Sequence, residues 1–103
     1  MKYIVDIDNT ICFSINSDYP NCIPITERIK YLNKLYEEGH EIHYWTARGA
    51  NSGKDWKELT INQLNDWGVK RYSVSFGKPA YDIWIDDKAI NSEDFFHDIN
   101  NRN

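Results

Sequence analysis

Two short apolar segments near opposite ends of the chain run directly into acidic residues. They are Lys2-Tyr3-Ile4-Val5-Asp6-Ile7-Asp8 and Tyr81-Asp82-Ile83-Trp84-Ile85-Asp86-Asp87. Short runs rich in β-branched and aromatic residues predict buried strands. The first strand is therefore expected over 2–7 and a fourth over 81–85, each with carboxylates at its C-terminal end. A second strand over His40–Trp45 runs into Thr46-Ala47-Arg48-Gly49, and a brief third over 70–75 precedes the turn Gly77-Lys78-Pro79.

The intervening stretches set the layer order. Residues 9–24 carry little periodicity and read as a long loop. Thr26 is a good N-cap for a helix over 27–38, with Ile29, Leu32 and Leu35 on one face and Gly39 closing it. A second helix is expected to begin at Ser52 or Gly53, to carry Trp56, Leu59, Leu64 and Trp67 as an apolar stripe, and to end at Gly68. Ser92 caps a last helix of about 93–100 with Phe95, Phe96 and Ile99 as packing residues. The order β-α-β-α-β-β-α implies a mainly parallel sheet with right-handed crossovers: an α/β, Rossmann-like, three-layer α/β/α domain. Such sheets bind ligands outside the carboxyl ends of their strands.

At 103 residues without repeats, the chain is read as a single domain over 1–103. A formal charge of -4 disfavours nonspecific wrapping of nucleic acid, which needs a basic surface. No apolar run is long enough to span a membrane, and the N-terminus is not patterned as a signal peptide, so a cytoplasmic location is expected. Cys12 and Cys22 are too few for a disulfide scaffold and lack Cys-x-x-Cys spacing. His40, His43 and His97 do not form a ligand set, and zinc is not expected from the sequence.

Four segments thus bring polar groups to one rim: Asp6, Asp8 and Thr10; Thr46 and Arg48; Lys78; and Asp86 with Asp87. Each alone has a plain structural explanation as a turn, cap or solvated rim. Together they crowd carboxylates that a hard cation or a lysine must neutralise, and oxygen-only ligands suit Mg²⁺. Threonine and lysine supply the donors a phosphoryl group needs.

The pattern Asp6-Ile7-Asp8-Asn9-Thr10, Thr46 after an apolar strand, Lys78, and Asp86–Asp87 after another resembles the haloacid dehalogenase (HAD) superfamily of aspartate-nucleophile phosphohydrolases. All four motifs stand in order over residues 2–90. Asn9 occupies a position where the family often has glycine. The resemblance implies Asp6 as nucleophile and Asp8 as the acid that protonates the leaving oxygen and then the base that activates water. It implies Thr46 as a phosphoryl-oxygen donor and Lys78 as the group that offsets negative charge. It implies an Mg²⁺ shell from the Asp6 carboxylate, the Asp8 backbone carbonyl and Asp87, with Asp86 as a second ligand or as the group that orients the first. Asn9, Thr10, Ala47 and Arg48 are carried along as substrate-binding positions, with Thr10 tethering the first loop and Arg48 reaching a substrate anion; Lys54 is a weaker candidate of the same kind.

Members of this superfamily usually select substrates with a cap domain. Asp8 to Thr46 spans 38 positions and Thr46 to Lys78 spans 32, so neither interval holds a folded cap. The chain resembles a capless member, whose open site a homo-oligomer (dimer or tetramer) or a partner enzyme would cover. The loop 11–24 is the expected covering element within the chain. Trp-Thr-Ala-Arg-Gly at 45–49 is similar to small HAD proteins associated with bacterial surface-polysaccharide synthesis, which points to a small sugar phosphate or related metabolite. A phosphoprotein phosphatase, a polynucleotide-end phosphatase and a non-catalytic partner-binding module are the alternatives.

Overall fold

A computed structural model describes residues 1–97. Strands β1 (Lys2–Val5), β4 (Glu41–Thr46) and β5 (Ser73–Phe76) form a parallel sheet in the order β1-β4-β5. The register pairs Val5 with Tyr44 and Thr46 with Phe76, which aligns the C-terminal ends of all three strands. Two short strands, β2 (Cys12–Phe13) and β3 (Ile23–Pro24), pair antiparallel inside the segment expected to be irregular loop. Helices α1 (Thr26–Glu37), α2 (Lys57–Asp66) and α3 (Ser92–Phe95) complete the described elements.

The sheet buries one face. Val5, Ile42 and Tyr44 project to the same side and join Ile29 and Leu32 of α1, Leu64 of α2 and Phe96 in one apolar cluster. Both crossovers progress in the same direction across the sheet, so right-handed connections put α1 and α2 on the same side. The opposite face carries Ile4, which is 60% exposed, and Trp45, which meets Trp84 edge-on at 6.0 Å. The expected third layer is therefore not formed among the described residues. What stands is an α/β domain with a parallel core sheet and its helices gathered on one side.

Several expected boundaries move for identifiable reasons. Thr26 is the first helical residue rather than the N-cap, and Ile25 precedes it without a side-chain cap. Helix α2 starts at Lys57 rather than near residue 52, because 47–53 are consumed by turns in which Ala50 N–H donates to Ala47 C=O and Gly53 N–H to Gly49 C=O. Asn91 caps α3 by accepting from Glu93 N–H, one residue before the expected Ser92. The C-terminal part of that expected helix, including Ile99, lies outside the described residues.

The largest departure concerns residues 81–85. They form no strand, and Tyr81, Ile83, Trp84 and Ile85 are 50%, 79%, 41% and 93% exposed. Their strand-forming composition is real, but no neighbouring strand receives them, and β1 stays at the edge of the sheet.

Candidate active site

The site is built where the parallel strands end. Asp6 directly follows β1, Thr46 is the last residue of β4, and Lys78 lies two residues beyond β5. The Lys78 backbone N–H donates to Thr46 C=O at 3.2 Å, which fixes the lysine's loop against the end of β4. Its ammonium then reaches Asp6, with Nζ 3.4 Å from Oδ1. On the other side, Thr10 Oγ1 donates to Asp6 Oδ2 at 3.3 Å. Burial pushes the Asp6 carboxyl above its ordinary value, and Lys78, the strongest opposing influence, only partly offsets that.

The turn after β1 explains the residue types in the first motif. Thr10 and Ile11 N–H groups both donate to Ile7 C=O, at 3.1 and 2.9 Å, which folds the chain back tightly. Asn9 sits at φ 60°, a left-handed conformation that glycine and asparagine tolerate best. Its side-chain oxygen accepts from Ser14 N–H at 3.1 Å, so the asparagine both makes the turn and ties it to the hairpin. Here a residue carried by resemblance acquires a backbone reason.

Asp8 is held differently from Asp6. Arg48 Nε donates to its Oδ2 at 2.9 Å and Nη2 to its Oδ1 at 2.8 Å, a two-pronged pair. Ser14 Oγ donates to the same Oδ1 at 2.5 Å. Burial alone would raise this carboxyl, but Arg48 and Ser14 together outweigh it and hold Asp8 below its ordinary value. Asp8 is thus a carboxylate in this arrangement. That suits a base toward water and opposes the role of proton donor.

Arg48 itself is buried. Its Nη1 donates to Thr60 Oγ1 at 3.1 Å and to Gln63 Oε1 at 2.6 Å, and its guanidinium lies 4.6 Å from the centre of the Tyr19 ring. Gln63 Nε2 in turn donates to Tyr19 C=O at 2.6 Å. The sequence reading placed this arginine on a substrate anion; the structure turns it inward onto Asp8 and helix α2. Thr60, Gln63 and Ser14 are neighbours of this pair that sequence reasoning missed, whereas Tyr19, expected in the covering loop 11–24, packs on the Arg48 guanidinium instead. The one available signal was that Thr60, Gln63, Leu64 and Trp67 share helical spacing, so two polar residues face the core along with the apolar ones.

Thr46 is 1% exposed, and its hydroxyl oxygen accepts from Arg48 N–H at 3.1 Å, which leaves its proton to donate. Ala47 is half-buried and accepts from Ala50 N–H in the turn that follows. Beside these residues lies an open cleft of about 360 Å³, lined by Arg48, Gly49, Lys54, Trp56, Lys57 and Phe76 among others. Lys54 Nζ stands 4.3 Å over the Trp56 ring within it.

Asp86 and Asp87 are exposed, on the unpaired segment beyond Trp84. Asp86 accepts from Lys88 N–H at 2.9 Å and, at 3.5 Å, from Trp84 Nε1. Among the described residues, neither joins Asp6 and Asp8 in a group of ligand atoms close enough to share a cation. As folded, Asp86 and Asp87 do not join the Asp6 carboxylate around a shared ion. The group that does converge is Asp8, Cys12 and Cys22, whose ligand atoms lie within 4.8 Å of one another.

No protein-family model and no curated protein matches the chain. A crystal structure of a structural-genomics target from Vibrio cholerae is similar to it over 97% of this chain and 94% of that one, at 28% identity and a TM-score of 0.79. That likeness supports the arrangement of elements over nearly the whole length. No described helix is long and apolar enough to cross a membrane.

Proposed function

We propose that the chain is a phosphomonoester hydrolase of the HAD type, acting on a small phosphorylated metabolite, with Asp6 as the nucleophile. The observation that carries this reading is the setting of Asp6: a carboxylate at the C-terminal edge of a parallel sheet, with an ammonium 3.4 Å away and a threonine hydroxyl on its other oxygen. Attack by an Asp6 oxygen forms an aspartyl-phosphate as the ester P–O bond breaks, and the leaving oxygen takes up a proton from solvent water. Lys78 lies where negative charge accumulates on the phosphoryl group, and the Thr46 proton is free to donate to a phosphoryl oxygen. Asp8, held as a carboxylate, then accepts the proton of the water that hydrolyses the acyl phosphate.

The neighbouring cleft supports a small substrate. Its volume of about 360 Å³ lies in the range of metabolite sites. Lys54 and Lys57 provide positive charge and Trp56 provides a flat apolar face, a combination that suits an anionic sugar.

The test is phosphate release across sugar phosphates, nucleotides, phosphopeptides and phosphorylated oligonucleotides, each with Mg²⁺ and with EDTA, for the native chain and Asp6→Asn. Turnover of a small phosphate ester that vanishes in Asp6→Asn is expected, and trapping of phosphate on the native chain alone would identify the acyl phosphate. Absence of turnover on every class, from folded protein, would overturn the catalytic reading and favour the partner-binding module.

A further inference from the structure

The cysteines are unused by the proposed chemistry, yet both contact its proton-transfer residue. Cys12 Sγ and Cys22 Sγ each lie 3.7 Å from the same oxygen, Oδ1 of Asp8. Cys12 is fully buried, while Cys22 is partly exposed and gives the cluster an opening to solvent. Ser14 Oγ stands between them, 2.8 Å from Cys22 Sγ and 3.9 Å from Cys12 Sγ.

The hairpin explains the convergence. Its register pairs Cys12 with Pro24 and Phe13 with Ile23, so Cys22 falls opposite Ser14, diagonal to Cys12. Diagonal neighbours in an antiparallel pair have Cα atoms roughly 7–8 Å apart, beyond the ~6.8 Å upper limit of ordinary disulfides. The pair is therefore poorly placed to close on itself. Redox nucleophilicity is also disfavoured, since burial, with Asp8 and Cys22 adding to it, pushes the Cys12 thiol up to about 12.

An ion bridging the same atoms fits better. With metal–sulfur bonds of ~2.3 Å and metal–oxygen bonds of ~2.0 Å, a tetrahedral site has sulfur–oxygen edges of about 3.5 Å, close to the two observed separations of 3.7 Å. Charge also closes. Two thiolates and one carboxylate balance a divalent cation together with the Arg48 guanidinium, whose Nη2 is 3.4 Å from Cys22 Sγ and 2.8 Å from Asp8 Oδ1. We infer that Asp8, Cys12 and Cys22 form a site for a thiophilic divalent cation of the zinc class, with water as the fourth ligand. Binding releases the two thiol protons to solvent and forms two metal–sulfur bonds and one metal–oxygen bond, with no change of oxidation state. The site is distinct in ligand chemistry from an oxygen-only Mg²⁺ site. Its consequence rests on the phosphatase reading: an ion that takes Asp8 Oδ1 removes the base from the hydrolytic step.

The test titrates the reduced, metal-free chain with Co²⁺ and, separately, Cd²⁺, in a thousandfold excess of Mg²⁺. A thiolate-to-metal charge-transfer band saturating at one ion per chain is expected, with Co²⁺ absorption of tetrahedral intensity. Cys12→Ser and Cys22→Ser should each weaken binding at least about tenfold, and the double variant should lose the band while its circular dichroism stays native. Lack of a band at stoichiometric ion, or a band that survives in the double variant, overturns the site. Where the native chain releases phosphate, Cd²⁺ should suppress release, and a chelator should restore it; activity unaffected by a bound ion overturns the inhibitory consequence. Charge transfer in a chain with no phosphatase activity supports the site and removes only the proposed function.

Discussion

Arg48 and Asp8, forty residues apart, are joined through both carboxylate oxygens at 2.8 and 2.9 Å, with the arginine side chain wholly buried and the aspartate 20% exposed. Through the same guanidinium, the turn after β1 is tied to the loop after β4 and to α2 by way of Thr60 and Gln63. The pair therefore does two things at once. It fixes the position of the proposed base, and it closes the domain around its polar end.

Removing one member of such a pair strands the other. Arg48→Met should cost about 3 kcal/mol at pH 7, the lower end of the range for breaking a buried pair because Asp8 retains some exposure. The pH dependence has a definite sign. Asp8 has its folded-state value held below the ordinary 3.8, so its contribution is fully present above that value and is lost as pH falls through the lower, folded one. Urea midpoints at pH 7 and near pH 3 should show the gap between native chain and variant shrinking on acidification. An equal gap at both pH values would mean that the arginine acts through packing alone.

Lys78 makes the opposite prediction for Asp6. Burial raises the Asp6 carboxyl and Lys78 is the largest influence lowering it. Lys78→Met should therefore move Asp6 higher still and shift the acidic limb of kcat/KM toward higher pH, with a loss of roughly 10²–10³-fold on the plateau. The Asp6→Asn chain should be slightly more stable than native above about pH 4, because a carboxyl with a raised folded value opposes folding once it ionises. A limb that stays in place in Lys78→Met would separate the lysine from the nucleophile.

The parts of this fold legible in the sequence were those set by local periodicity. Strand β4 and helix α1 follow from their apolar spacing, and Asp6, Thr46 and Lys78 fall on one edge because parallel strands end together. Less legible was whatever depends on partners distant in the chain. The β2–β3 hairpin brings Cys12 to Cys22 through only two residue pairs, too short for an alternating pattern. Thr60 and Gln63 look like ordinary polar helix residues until Arg48 is known to be buried against them. Residues 81–85 mislead for the converse reason: their composition favours a strand, but pairing is a property of the neighbour and not of the segment.

Gly49 tests the loop that presents Arg48. It lies at φ 86°, and a Cβ placed there would come 2.4 Å from the backbone oxygen of Lys54. Gly53, at φ 70°, has open space instead. Gly53→Ala should cost about 1 kcal/mol from backbone conformation alone, whereas Gly49→Ala should cost clearly more, about 2–3 kcal/mol, because the clash is with main chain. Thermal unfolding of the two variants side by side measures the difference; similar losses would mean that the 49–54 turn yields without cost.

Whether Asp86 and Asp87 belong to the site turns on the segment that carries them. Among the described residues, strand β1 pairs only with β4, leaving its outer edge open with Ile4 exposed beside it, and residues 81–85 are rich in strand-forming side chains and unpaired. Exposed strand edges are prone to acquire a partner. Parallel pairing of 81–85 on that edge would bury several large side chains and bring Asp86 and Asp87 to the end of the sheet where Asp6 stands. In the absence of divalent cations, amides 82–86 should exchange with solvent far faster than those of Ile42–Thr46. Addition of Mg²⁺ should slow the exchange of 82–86 at least about tenfold and change the fluorescence of Trp84, which now meets Trp45 and Tyr81 edge-on. Asp87→Asn should remove both responses. Exchange that Mg²⁺ leaves unchanged would make Asp86 and Asp87 surface carboxylates and confine the site's chemistry to Asp6, Asp8, Thr46 and Lys78.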